Sequence, residues 1–149
     1  MAPEDTSDVG NVLFDLWLAS RATTALIDKS IRSSGLDADE FGVYSVLASG
    51  SVVTPTELSL WMSAPATTVS SYVKRLEARG HLRRVSNPDD RRSYRLELTP
   101  KGRQAHQTAG AMFARILDHV NHKIDDDLDV SRRSLQGLHR AVANFNPTD

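Results

Sequence analysis

The sequence predicts a mainly α-helical protein with one small β-hairpin. Three observations predict it. Capping-box start signals stand at Asp37–Glu40 and Thr54–Glu57, each followed by apolar residues at helical spacing. Two such helical stretches meet across Ser63-Ala64-Pro65, the signature of two helices joined by a tight turn. After Gly80 the pattern changes to short strands separated by Asn87-Pro88-Asp89-Asp90, strong turn chemistry. The sum is a winged helix-turn-helix lobe held between N- and C-terminal helices.

The elements follow in order. A first helix is expected from about Asn11 to Ser33, with a broad apolar face from Val12 to Ile31, and Gly35 ends it. In the second, Asp37 caps, Glu40 completes the box, and Leu36 and Phe41 occupy the staple positions. Phe41, Tyr44, Leu47 and Ala48 are its expected core face, and Gly50 stops it. Thr54 caps a short third helix with Pro55 at its first position. The fourth runs to Arg79-Gly80, with Ser63 as its candidate cap. Strands are expected at His81–Val85 and Ser93–Leu98. Thr99-Pro100 opens a long fifth helix, lined by Ala105, Ala109, Met112, Phe113, Ile116, Leu117 and Val120, and a last helix spans about Asp129 to Asn144.

A chain of 149 residues is one domain's worth, and 40% apolar with 25% charged residues is an ordinary globular composition. There is no cysteine, which excludes disulfides, thiolate zinc sites and thiol redox sensing. No apolar run approaches the roughly 20 residues of a membrane span. The acidic, polar start MAPEDTSDVG is unlike a signal peptide, so a cytoplasmic protein is expected. The net charge is −1, but it is unevenly spread. Residues 55–104 hold ten Lys/Arg and five Asp/Glu (+5); the remainder holds eight and fourteen (−6). A basic middle between acidic ends fits a nucleic-acid-facing module on a scaffold that does not touch nucleic acid.

The fourth helix carries the functional signal. At 100° per residue Val69, Tyr72, Val73 and Leu76 share one side, while Thr67, Ser71 and Lys74, flanked by Ser70 and Arg75, share the other. That outer face has hydroxyls and cations and no carboxylate before Glu77. It suits a major groove; the alternative is an ordinary solvated face. The hairpin tip adds Asp89-Asp90-Arg91-Arg92. An Arg there can reach a minor groove, with Asp90 bracing the Arg92 guanidinium. The candidate DNA-contacting set is Thr67, Thr68, Ser70, Ser71, Lys74, Arg75, Arg84, Asp90, Arg91 and Arg92.

Three stretches resemble the MarR (multiple antibiotic resistance regulator) family of bacterial transcription regulators over roughly residues 11–145. Thr56-Glu57-Leu58 through Gly80-His81-Leu82, with its Leu-Glu-x-Arg-Gly, is similar to the family's two DNA-proximal helices. Asp90-x-Arg92 matches its wing motif, and Leu98-Thr99-Pro100-Lys101-Gly102 the lead into the next helix. The resemblance implies one domain over 1–149, with 34–99 as the DNA-binding lobe and 11–33 and 100–145 mainly for dimerisation. It implies a homodimer on a pseudo-palindromic operator of double-stranded DNA, usually as repressor, released by a small-molecule effector in a cleft between scaffold and lobe. Many relatives carry Arg where Ser71 stands here.

Trp17, Phe41 and Tyr44 are the candidate effector-binding residues; Trp17 and Trp61 also read as packing residues. No cofactor and no membrane partner is expected. His119 and His122 stand three apart near Asp125, Asp126 and Asp127, which leaves a metal-responsive regulator as one alternative. A winged helix that docks a protein is another. An enzyme is not expected, since no phosphate loop, nucleophile elbow or HExxH is present.

Overall fold

The structure is a computed structural model and describes residues 10–50, 54–124 and 126–146. Among these residues the order is α1 (Val12–Ile31), a 3-10 turn (Arg32–Ser34), α2 (Ala38–Ser49), α3 (Pro55–Met62), α4 (Ala66–Ala78), β1 (Leu82–Ser86), β2 (Tyr94–Leu98), α5 (Pro100–Asn121) and α6 (Leu128–Ala143). None of the described helices is long and apolar enough to cross a membrane.

Each start signal acts as its chemistry requires. Asp37 and Thr54 accept the third backbone N–H of their helices, and Glu40 and Glu57 reach back to close both boxes. Thr99 caps α5 through the Gly102 N–H (3.1 Å). Gly35, at φ 81°, turns the chain out of the 3-10 segment in a conformation L side chains avoid. The α4 start differs from expectation. Ser63 does not cap it; Ser63 ends α3 in the left-handed region at φ 50°. Pro65 occupies the cap position with no side-chain hydrogen bond, its carbonyl accepting from Thr68 and Val69.

The core sits in the lobe. Tyr44, Leu58, Val69, Val73, Leu76, Leu82, Leu96 and Leu98 are buried together, with Ile31 from α1 and Ala109 from α5. Strands β1 and β2 pair antiparallel, Leu82 opposite Leu98 and Arg84 opposite Leu96. In α2 the expected face shifts: Ala48 is exposed, and Val43 and Val46 are buried instead. This helix lies between α1, α5 and β2, so more than one of its sides is covered.

The outer helices bury little. Only Ile31 of α1 and no residue of α6 is buried. Val12, Leu13, Trp17, Leu26, Leu117, Val130, Leu135, Val142 and Phe145 remain exposed. Trp17 and Trp61 are therefore not packing residues of the protomer; each is about half exposed, at 54% and 51%.

The start of α5 is fastened onto the turn after α4. The Thr99 N–H donates to the His81 carbonyl (3.0 Å), the Thr99 hydroxyl to the Gly80 carbonyl (2.7 Å) and the Lys101 ammonium to the Arg79 carbonyl (3.0 Å). Gly102 allows this approach, because a Cβ there would collide with the His81 backbone carbonyl. Gly102→Ala is expected to cost about 1–3 kcal/mol, the range for overpacking. Gly110→Ala, where a Cβ meets nothing within 4 Å, should instead gain up to about 1 kcal/mol of helix propensity. Urea unfolding midpoints at unchanged slope check both signs.

Candidate nucleic-acid interface

Helix α4 divides as its period dictates. Val69, Tyr72, Val73 and Leu76 are all buried, which turns Thr67, Ser70, Ser71 and Lys74 to the outside; Thr68 is half-buried. Ala66, Thr67, Ser70, Ser71 and Lys74 line one shallow cleft of about 510 Å³. Thr67, Thr68, Ser71, Tyr72 and Arg75 line another beside it.

The candidate cations separate into two groups. Arg75 lies 3.7 Å from Glu40, with its guanidinium 4.7 Å over the Tyr72 ring. Arg84 donates twice to Glu77 (2.7 and 2.9 Å) and stacks on Tyr94 at 4.6 Å. Both are engaged within the protein. Lys74, Arg91 and Arg92 make no ion pair among the described residues and are exposed. Arg91 also borders a cleft of about 670 Å³ along the wing with Arg84, Asn87, Ser93 and Tyr94.

The wing tip is ordered by its acids through the backbone. Asn87 accepts from the Asp89 N–H (3.1 Å), and Asp90 Oδ1 accepts from the Arg92 N–H (2.9 Å). Asp90 therefore does not brace the Arg92 guanidinium; it shapes the turn from which Arg92 projects. A carboxylate two residues before an N–H is placed for an Asx-turn, which is shorter-range than a side-chain brace. Asp89 pairs with Arg95 (3.1 Å) and fixes the returning strand.

Behind the interface lies a polar network that sequence reasoning missed. Glu40, 2% exposed, accepts from Arg79 at 3.1 Å and lies beside Arg75. The Tyr44 hydroxyl sits 2.6 Å from His81 Nδ1, and the Tyr72 hydroxyl donates to Asp39 (3.0 Å). Burial, then the Asp39 carboxylate, pushes the Tyr72 phenol up to about 12. Burial also raises Tyr44 and lowers His81, the latter helped by Lys101 and Arg79. The Tyr44 hydroxyl and His81 Nδ1 share one hydrogen bond, with the imidazole tautomer setting which of them donates. The one signal in the chain was the capping box at Asp37–Glu40; that its Glu also faces two arginines of α4 and its end is a tertiary fact.

The effector candidates are not brought together. Tyr44 and Phe41 are core residues, Phe41 packing 5.2 Å from Phe113 and 5.5 Å from His106 between ring centres. Trp17 lies on the outer side of α1 near Phe14. The His122 ring pairs with Asp118 of its own helix, His119 is exposed, and Asp125 lies outside the described residues. Among the described residues no three His, Asp or Glu side chains converge on a metal position.

Comparison with known proteins places this geometry. The model of the MarR family matches residues 34–93. The multiple antibiotic resistance protein MarR of Salmonella typhimurium is 26% identical over 115 residues, 72% of this chain and 80% of that protein. The Mycobacterium tuberculosis transcriptional regulator MosR in complex with DNA is similar with a TM-score of 0.77 and 26% identity, over 89% of this chain and 96% of that one. CouR from Rhodococcus jostii, bound to p-coumaroyl-CoA, has a TM-score of 0.77 at 17% identity, over 95% and 98% of the two chains.

The two lowered histidines set a pH dependence. His106 is lowered by burial, and its Nε2 lies 3.0 Å from the Ser45 hydroxyl, whose own proton goes to the Phe41 carbonyl. Both imidazoles take up a proton less readily in the fold than in the unfolded chain, which binds more protons as pH falls below the ordinary value of about 6.5. The stabilisation is complete above that pH and is lost as pH falls towards the lower folded values. Melting temperature should be level from about pH 8 to 7 and decline below about 6.5, and His106→Gln should flatten part of the decline; melts across that window check it.

Proposed function

We infer that this chain is a member of the MarR family of winged helix-turn-helix transcription regulators, that it binds double-stranded operator DNA as a homodimer, and that it represses transcription until a small organic molecule releases it. The observation that carries the reading is the pairing of an uncharged hydroxyl face on α4 with three uncommitted cations, Lys74, Arg91 and Arg92, at its end and on the adjacent wing. In the proposed complex α4 enters the major groove and Arg92 reaches the minor groove, where negative potential is focused. The uncapped start of α4 leaves backbone N–H groups for a phosphate. Arg75 and Arg84 serve the interface indirectly, by holding α4 and the wing in register with the lobe.

The dimer is supported by the exposed apolar faces of α1 and α6, which a two-fold pairing would cover. A dimer places two copies of α4 on one face of a pseudo-palindromic operator, half-sites about 34–36 Å apart. The effector is proposed to be partly aromatic and to favour a dimer with a different α4 separation. A cleft that uses Trp17 requires the partner's surface, and one that reaches Phe41 and Tyr44 requires α2 and α5 to part. The protein acts in the cytoplasm, on the nucleoid.

Two outcomes are expected. Arg92→Ala should make the slope of log K against log salt shallower by about 0.9 for each phosphate charge no longer neutralised, on random and operator duplexes alike. An unchanged slope in a folded dimer would remove the wing from the interface. Leu135→Asp with Val142→Asp, on α6, should convert the dimer to monomer by light scattering and abolish tight operator binding while leaving the helical signal intact.

A further inference from the structure

Between Ala66 and Ala78 there is no Asn or Gln, so the bidentate contact these residues make with adenine is unavailable to α4. Its one arginine, Arg75, is turned to Glu40 and Tyr72. The first two turns, which in helix-turn-helix proteins supply the base-edge contacts, present Ala66, Thr67, Ser70 and Ser71. Thr67 and Ser71 border both shallow clefts on this face, and of the two only Thr67 carries a methyl group. Its hydroxyl makes no hydrogen bond among the described residues, unlike Thr23, Thr24 and Thr108, which back-bond to the carbonyl four residues earlier. For Thr67 that residue is Ser63, which lies outside the helix in the left-handed region. Thr67 thus offers the groove a free hydroxyl and a methyl together.

Thymine is the base that answers both groups, with an O4 acceptor beside a C5-methyl. Cytosine and adenine present amino donors at the corresponding edge, and guanine has no methyl. We propose that Thr67, with the Ala66 methyl beside it, reads one thymine in each operator half-site by packing on its C5-methyl, so that specificity at the α4 start depends on a methyl group rather than on a guanine contact. The proposal rests on the DNA-binding reading above and names what that surface recognises.

The test uses the full-length dimer and a duplex selected by the protein from random-sequence DNA. Thymidines are replaced one at a time, symmetrically in both half-sites, by deoxyuridine, which removes the methyl and leaves O4 and base pairing unchanged. One symmetric pair should weaken binding about fourfold per half-site, the worth of one buried methyl at about 0.8 kcal/mol. Thr67→Ser, which keeps the hydroxyl and leaves only the Ala66 methyl, should bind the thymidine duplex more weakly and lose most of the sensitivity to uracil at that pair. Thr67→Val, which keeps a methyl, should remain sensitive to it. A flat uracil scan, or equal uracil sensitivity in wild type and Thr67→Ser, overturns the inference while salt-dependent binding to random duplex leaves the DNA-binding reading standing. Loss of salt-dependent binding to any duplex overturns both.

Discussion

Glu40 is carried into the core because it closes the capping box of its own helix, and once buried its charge has to be met. Arg79, at the end of α4, meets it at 3.1 Å, with Arg75 one turn earlier at 3.7 Å. An uncompensated buried carboxylate costs several kcal/mol, on the order of 3–5 when one partner of a buried pair is removed, so α4 is not free to rotate or slide against α2. Arg79 is partly exposed, which lessens the cost on its side. The rest of the interface geometry follows from this anchor. With Arg79 fixed, residues 79–81 are fixed, and Thr99, Lys101 and Gly102 bind that turn to α5. His81 stands at the root of the wing and also meets Tyr44 of α2. The outward direction of Thr67 and the position of the hairpin are thus set by a carboxylate on the other side of the helix.

The same economy of burial explains the two kinds of helix in the chain. The lobe encloses α2, β1, β2 and one side each of α3 and α4 in a closed core. Helices α1 and α6 contribute almost nothing to it, yet carry Leu13, Trp17, Leu135 and Val142 on their surfaces. That many large apolar side chains left in the open call for a partner. Charge is divided differently: residues 55–104, from α3 through the wing into the first turn of α5, carry +5, and the rest of the chain, the acids of α2 included, carries −6. A basic stretch from α3 to the wing draws that side of the protomer towards a polyanion before any contact forms.

How much of this was legible depends on the range of the interaction. Both capping boxes, the Thr99 cap, the buried side of α4 and the hairpin turn depend on residues within a few positions of each other, and all stand as the chain pattern required. Ser63 does not cap α4 because Pro65, two residues later, takes the cap position while Ser63 itself ends α3 in the left-handed region. Asp90 makes no ion pair with the Arg92 guanidinium among the described residues and accepts instead from the backbone N–H of Arg92, two residues on. Arg75 and Arg84 are among the residues the sequence offers to DNA; that they also pair with Glu40 and Glu77 within the protein is decided by packing across 35 and 7 residues. Trp17 and Trp61 read as core because apolar type does not distinguish a core from an uncovered face.

The division between engaged and free cations has a consequence for how such an interface would be switched. In the proposed complex the wing arginines supply sequence-independent attraction, and the α4 face, with hydroxyls, methyls and one lysine, supplies discrimination through small increments. No single group on α4 has the strength of a bidentate arginine on guanine, so discrimination is a sum that requires both half-sites to be in register at once. A change in the separation of the two α4 helices then removes the specific part of the affinity from both sites together and leaves the wing attraction nearly intact. An effector need only favour the displaced arrangement by the differential free energy of those few interactions. The rigid Glu40–Arg79 anchor serves that end, because a lobe that moves as one body passes a displacement at the scaffold to α4 undiminished.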